Sequence, residues 1–238
     1  MFLKREATPK ATAIIVAAGD SRRMGAGVNK QFLLLDGIPV LAHTLKKFDI
    51  SDSIDSVIIV TKPENISTVW DMIRDFGIHK VTDIVPGGET RQQSVINGLK
   101  LVKNDALVAV HDGARPFVSP KLINRLCEIA LESGAVIPGV VPKDTVKVLD
   151  PIGNVESTPD RNTLRCIQTP QVFRADILKL AYIRAEELCF LGTDDASVVE
   201  FSGIPVTIAD GEYTNIKVTT PEDLPVAESI CQFLKNNY

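Results

Sequence analysis

No apolar stretch among the 238 residues approaches the roughly 20 needed to cross a bilayer as a helix, so no membrane association is expected. The first ten residues are polar and lack the apolar core of a signal peptide; they are expected to be loosely ordered. Basic residues are not in excess either. With 26 Lys and Arg against 30 Asp and Glu, the net charge is -4, which carries no nucleic-acid footprint. An anionic ligand must therefore be met by a local basic pocket. Cysteine is scarce, and Cys127, Cys166, Cys189 and Cys231 show no C-x-x-C spacing, which argues against a zinc site or a disulfide framework. Free, scattered thiols point to a reduced, cytoplasmic compartment. No internal repeat and no low-complexity linker divides the chain, so one domain over residues 1–238 is expected.

What is present is a hydrophobic content of 45% with 24% charged residues, ordinary for a globular protein. It begins with a run, residues 13–18, of the uninterrupted apolar and β-branched kind that forms a buried parallel strand. The run stops at Gly19, and a small-residue loop carrying Arg22, Arg23 and Lys30 follows. Small residues let backbone N–H groups approach an anion, and the cationic side chains neutralise it. The dinucleotide pattern G-x-G-x-x-G is missing after this strand. So is G-x-x-x-x-G-K-[ST], because Ala26 follows Gly25 where the lysine belongs. The sequence Ala17-Ala18-Gly19, then Arg23-Met24-Gly25 and Lys30, resembles instead the loop of nucleotidyltransferases that act on sugar phosphates. Read without that resemblance, the same residues are a glycine-rich turn with solvated basic side chains.

Strand and helix patterns then alternate. Strands are expected at residues 32–35, 56–61, 81–85 and 107–110, and helices at 39–48, 63–76, 90–102 and 119–133. Such alternation marks a Rossmann-like α/β fold, a mostly parallel twisted sheet with helices on both faces. Beyond a strand at 135–141 the rhythm changes. Residues 145–149 read as a strand, Pro151-Ile152-Gly153-Asn154 as a turn, and polar residues run on to Asn162. This is too short for a crossover helix, so residues 142–165 are expected to form a projecting β-arm, of the kind that docks on a partner subunit. Helices at 175–190 and 194–202, a strand at 205–209 and a last helix from Pro221 complete the pattern.

Three segments carry candidate chemistry. Pro86-Gly87-Gly88-Glu89-Thr90-Arg91, continuing to Ser94, joins a strand to a helix; it suits close contact with a flat base, or is simply a capped tight turn. His111-Asp112 follows the fourth strand, where the carboxylate suits Mg²⁺ beside substrate phosphates or, alternatively, pairs with Arg115. His111 reads as a packed or hydrogen-bonded residue, since no second histidine lies at ligand spacing. Thr145, Arg161 and Lys217 form a basic and hydroxylic set near the arm and the last strand, each also readable as a surface residue. Thr193-Asp194-Asp195 reads as a helix cap.

Taken together, these segments resemble the 2-C-methyl-D-erythritol 4-phosphate cytidylyltransferase family over about residues 12–230. The resemblance rests on Gly-Gly-Glu-Thr-Arg, His-Asp-Gly-Ala-Arg-Pro, Lys-Asp-Thr-Val-Lys at 143–147, Asp-Arg-Asn-Thr-Leu at 160–164, Gln-Thr-Pro-Gln at 168–171, Thr-Asp-Asp-Ala-Ser at 193–197 and Asn-Ile-Lys-Val-Thr at 215–219, together with the first loop. It implies CMP transfer from CTP to a sugar-alcohol phosphate in non-mevalonate isoprenoid synthesis. Ala17, Ala18, Gly19, Gly88 and Ser94 would line the nucleotide pocket, and Asp112 would hold Mg²⁺. Arg23, Lys30, Arg161 and Lys217 would be catalytic, with Thr145, Arg161 and Lys217 on the acceptor. Thr145 and Arg161 would reach into the neighbouring subunit of a homodimer. Thr214 stands before Asn215 where some relatives carry aspartate. The neighbouring alternative is a ribitol-5-phosphate cytidylyltransferase; one of another class is a non-catalytic nucleotide sensor.

Overall fold

The computed structural model describes residues 10–19 and 30–237. The N-terminal residues 1–9 and the part of the basic loop holding Arg22 and Arg23 lie outside the described residues, so the expectation of a loosely ordered terminus is not addressed. The strand expected at 13–18 is β1 (Ala11–Val16), which starts two residues earlier and ends before Ala17 and Ala18. Its side chains alternate between two apolar clusters, Ala13 and Ile15 in one and Ile14 in the other. Such burial of both faces is what its apolar residues require, and the one polar side chain, Thr12, pairs with Ser56 Oγ at 3.0 Å.

A tight hairpin, β2 (Leu34–Leu35) and β3 (Ile38–Pro39), turns through Asp36-Gly37 and leads into α1 (Val40–Asp49). There follow β4 (Ile54–Thr61), α2 (Ile66–Asp75), β5 (Val81–Pro86), α3 (Arg91–Leu99), β6 (Leu107–Asp112), α4 (Pro120–Ser133) and β7 (Ala135–Val140). Short strands β8 (Val148–Leu149) and β9 (Val155–Ser157) pair with each other as a separate antiparallel hairpin. The chain returns through β10 (Cys166–Ile167), β11 (Gln171–Arg174), α5 (Ala175–Glu187), α6 (Asp195–Phe201), β12 (Thr207–Asp210) and α7 (Asp223–Asn237).

The main sheet runs β10-β7-β11-β6-β1-β4-β5, with β12 also on β7. Strand β1 lies parallel to both β4 and β6, and β4 is parallel to β5, so these four strands share one C-terminal edge. Residues of α1, α2 and α4 pack into one apolar cluster, and those of α3, α5 and α6 into the other. The expected α/β architecture is therefore the observed one. Helix ends follow the cap chemistry: Thr90 Oγ1 accepts from Gln93 N at the start of α3, and Ser119 Oγ accepts from Leu122 N at the start of α4.

Several details depart from the sequence expectation. The antiparallel strand β11 lies between β6 and β7 and was not foreseen. It has four residues with polar Gln171 and Arg174 at its ends, which leaves only Val172 and Phe173 to signal burial. The expected strand at 145–149 contracts to β8, where only Val148–Leu149 pair. Pro63 opens a 3-10 turn, Pro63–Asn65, before α2 begins. Strand β6 runs on to Asp112, so that residue is placed by sheet pairing and not by a loop.

Candidate active site

The parallel register lines up the ends of four strands. Val16 of β1 lies opposite Asp112 of β6 and Val60 of β4, and Thr61 lies opposite Pro86 of β5. Loops leaving these ends converge, as expected at the C-terminal edge of an open α/β sheet. Gly87 N donates to Thr61 O at 2.8 Å, and Gly113 N donates to Val16 O at 2.9 Å. A cavity of about 410 Å³ opens there, lined by Ala18, Gly19, Gly87, Gly88, Thr90, Arg91, Ser94, Asp112 and Lys217 among others. Five expected residues, Ala18, Gly19, Gly88, Ser94 and Asp112, thus share one cavity with Lys217. Ala17 lies buried directly behind them, its N–H donating to Val60 O at 2.7 Å.

The glycine pair is a steric requirement. A Cβ on Gly87 would stand 2.3 Å from Ala18 Cβ, and one on Gly88 would stand 2.1 Å from Gln93 Cγ. Ser94 Oγ accepts from Gly88 N at 3.1 Å and donates to Thr90 O at 2.9 Å, which holds this loop against α3. The N-terminal turn of α3 therefore faces the cavity and adds backbone N–H groups suited to an anion.

Asp112 sits on the cavity floor among cations. Lys217 Nζ lies 2.7 Å from its Oδ2, Arg91 Nε 3.3 Å from its Oδ1, and Arg115 Nε 4.0 Å from its Oδ2. Burial pushes the carboxyl group up, but Arg91, Lys217 and Arg115 more than reverse this and hold it well below the usual carboxylate range. Asp112 faces the cavity, and of its two sequence readings the pairing with Arg115 is present, as the most distant of its three cation contacts. Lys217 is brought there by the segment before α7, where Val218 N donates to Ala114 O at 2.9 Å.

His111 is fully buried. Its Nε2 bonds Arg115 O at 3.1 Å and its Nδ1 bonds Thr169 Oγ1 at 3.0 Å, while Asp112 N donates to the same hydroxyl at 3.1 Å. A carbonyl accepts only, so Nε2 carries the proton and Nδ1 accepts from Thr169. Burial pushes the imidazole down to about 3, which keeps it neutral. It is a packed, hydrogen-bonded residue, as expected from the lack of a second histidine at metal-ligand spacing.

Sequence reasoning missed the residues that hold Arg91. Its Nη2 lies 2.7 Å from Oδ2 of Asp195, whose side chain is wholly buried, and Tyr182 Oη donates to Asp195 Oδ1 at 2.5 Å. Asp194 caps α6 as expected, whereas Asp195 points inward. Helix α6 is set in place by Gln171 of the unforeseen β11: Gln171 Nε2 donates to Asp194 Oδ2 at 2.7 Å, and Ala196 N donates to Gln171 Oε1 at 3.0 Å. The Gln-Thr-Pro-Gln segment followed by Val172-Phe173 was the available signal.

Other expected residues are not gathered here. Thr145 and Arg161 are exposed and do not line the cavity; Arg161 Nη1 donates to Lys143 O at 3.3 Å. Lys30 opens a 3-10 turn, Lys30–Phe32, but its side chain, like all of Arg23, lies outside the described residues. Among the described residues no cluster of three or more His, Cys, Asp or Glu forms a metal cage. One carboxylate facing this open cavity fits Mg²⁺ arriving with a polyphosphate, since that ion keeps waters and takes only one or two protein carboxylates. No helix among the described residues is long and apolar enough to cross a membrane.

Comparison with known proteins shows the family of the chain. The family model described as IspD, 2-C-methyl-D-erythritol 4-phosphate cytidylyltransferase, matches residues 11–232. A protein of that name from Clostridium acetobutylicum is 46% identical over 94% of this chain and 97% of its own length. One from Geobacillus thermodenitrificans is 44% identical over 92% of this chain and 95% of its own length. The crystal structure of 4-diphosphocytidyl-2C-methyl-D-erythritol synthase from Anaerococcus prevotii is similar with a TM-score of 0.85 at 32% identity, covering 94% of this chain and 97% of that one. With the match spanning the sheet, the glycine cradle, Asp112 and Lys217, the chain belongs to the 2-C-methyl-D-erythritol 4-phosphate cytidylyltransferase family.

Proposed function

We infer that the protein transfers CMP from CTP to 2-C-methyl-D-erythritol 4-phosphate, giving 4-diphosphocytidyl-2-C-methyl-D-erythritol and diphosphate. The observation that carries this reading is Asp112, held 2.7 Å from Lys217 on the floor of a cavity walled by the Gly87-Gly88 turn and the start of α3. A phosphate oxygen of the acceptor attacks the α-phosphorus of CTP. The bond from that phosphorus to the α–β bridging oxygen breaks, and diphosphate leaves with the electron pair. Both reactants are anions, so positioning and charge neutralisation do the catalytic work. The acceptor phosphate is largely dianionic near neutral pH and needs no general base, which agrees with a neutral His111 lying buried behind the cavity.

Residue roles follow from position. Ala17, Ala18, Gly19, Gly88 and Ser94 form the nucleotide side of the cavity. Lys217 reaches from Asp112 toward the reacting phosphates, and Arg23 and Lys30 complete the cationic set from the first loop. Asp112 would hold Mg²⁺ brought by the triphosphate, and that ion would supply further neutralisation of phosphate charge.

Thr145 and Arg161 act from a second copy of the chain in this reading. The hairpin region carrying them exposes Val148, Leu149, Ile152 and Val155, an apolar set suited to a homodimer contact. The site would then be shared between subunits of a cytoplasmic enzyme that uses neither nucleic acid nor membrane, with residues 142–165 as an arm of one domain. Diphosphate release with CTP and Mg²⁺ tests the assignment, comparing 2-C-methyl-D-erythritol 4-phosphate with ribitol 5-phosphate as acceptor. Preference for the first is expected. Preference for the second would overturn the acceptor, and CTP binding without turnover would favour the sensor.

A further inference from the structure

The cavity floor holds an arrangement that the transfer reaction does not by itself require. Arg91, at the first position of α3, bridges two carboxylates. Its contact with Asp195 is short, 2.7 Å, and its contact with Asp112 is long, 3.3 Å. Asp195 is wholly buried, and its second oxygen accepts from Tyr182 of α5 at 2.5 Å. A buried carboxylate is retained only if it is paired and hydrogen-bonded, and here both oxygens are so engaged.

The same frame controls where Arg91 can go. Asp195 heads α6, which Gln171 of β11 clamps, and Asp112 ends β6, the strand beside β11. The two carboxylates are thus fixed by neighbouring strands, and the guanidinium between them is held nearer the buried one. We propose that the Tyr182–Asp195 pair is a counter-anchor for Arg91: by taking its shorter ion pair, it leaves Oδ1 of Asp112 available to a divalent cation, while Lys217 holds Oδ2 at 2.7 Å. This rests on the reading of Asp112 as the carboxylate that meets the metal.

The physical argument concerns competition. An oxygen of Asp112 can serve a cation only to the extent that Arg91 and Lys217 release it. If Asp195 loses its charge, Arg91 has Asp112 as its sole carboxylate partner among these residues and turns fully onto it. The cavity also becomes more positive by one charge. These changes act in opposite directions on two ligands: the cation binds more weakly, and the metal-free triphosphate binds as well or better. General loosening of the site would weaken both.

Asp195→Asn and Tyr182→Phe test this in the full-length protein. Removal of one partner of a buried ion pair can destabilise a fold, so Tyr182→Phe, which keeps the pair and removes only the phenol donor, is the companion variant. Mn²⁺ binding in the presence of CTP is read by water-proton relaxation, and CTP binding in chelator by calorimetry. Asp195→Asn is expected to weaken Mn²⁺ about tenfold, the usual scale for losing an outer-sphere partner. Tyr182→Phe is expected to weaken it about threefold, with no added effect in the Asp195→Asn background because the phenol acts through Asp195. Metal-free CTP affinity holds or rises in both. Unchanged Mn²⁺ affinity in both variants, or parallel loss of Mn²⁺ and CTP, overturns the proposal. Asp112→Asn is the control: if it leaves Mn²⁺ binding intact, the reading of Asp112 is wrong, and the proposal falls with it.

Discussion

If each active site is built from two chains, two inactive variants should repair each other. Lys217→Ala removes the ammonium 2.7 Å from Asp112, leaving that carboxylate, among the described residues, Arg91 at 3.3 Å and Arg115 at 4.0 Å. Arg161→Ala removes a guanidinium that, within its own chain, donates to the Lys143 carbonyl at 3.3 Å. Each loss is comparable to removing one preorganised charge-stabilising group, so each variant alone should fall about 10²–10³-fold in kcat. Arg161 is exposed and the Lys217 side chain is 36% exposed, so neither change should unfold the protein.

The two variants are then co-expressed with different tags. Random pairing makes about half the dimers hybrid. If Lys217 of one chain and Arg161 of the other serve the same site, a hybrid has one site with both residues intact and one with neither. The mixture should recover about a quarter of wild-type activity, and tag-purified hybrids about half, by this symmetry count. If both residues serve the site of their own chain, every site in every hybrid lacks one of them, and activity stays at the level of the single variants, about 10²-fold or more below wild type. The assay is diphosphate release at saturating CTP and acceptor. A hybrid no better than its parents would refute the shared site and with it the role given to the arm.

Further expectations concern single residues. Lys30→Ala should lower kcat about 10²–10³-fold with the fold intact by circular dichroism, and a normal rate would remove Lys30 from the mechanism. Gly87→Ala places a Cβ 2.3 Å from Ala18 Cβ and 3.1 Å from Ser94 Oγ, so this wall of the cavity must shift. KM for CTP should rise about tenfold and urea stability fall by about 1–3 kcal/mol, the usual cost of overpacking; a wild-type KM would mean that the turn does not contact the nucleotide. Burial pushes the Cys127 thiol from 9.0 up to about 12. The unfolded thiol therefore ionises first, and the native state loses stability as pH rises through 9 toward 12. At pH 10 the loss should be about 1.4 kcal/mol, and the difference between wild type and Cys127→Ala in urea melts at pH 8 and pH 10 should show it. Equal pH slopes for the two proteins would contradict that burial effect.

The sheet and the glycine wall of the cavity were legible because local pattern and tertiary position coincide there. An apolar run such as β1 or β4 has no other soluble use than a strand covered on both faces, and two adjacent glycines after β5 signal close approach before any contact is known. The support beneath Asp112 was hidden for the opposite reason. Strand β11 has two apolar residues between polar ends, so its place between β6 and β7 is decided by pairing across the sheet and not by its own periodicity. Without β11, Gln171 has no visible task, α6 has no fixed position, and Asp195 reads as the second acid of a helix cap instead of the buried partner of Arg91. Adjacent aspartates in one dipeptide thus take unlike roles, Asp194 closing α6 and Asp195 anchoring a cation of the cavity floor. Local chemistry predicts the first from the sequence; the second exists only once three strands and two helices have been placed together.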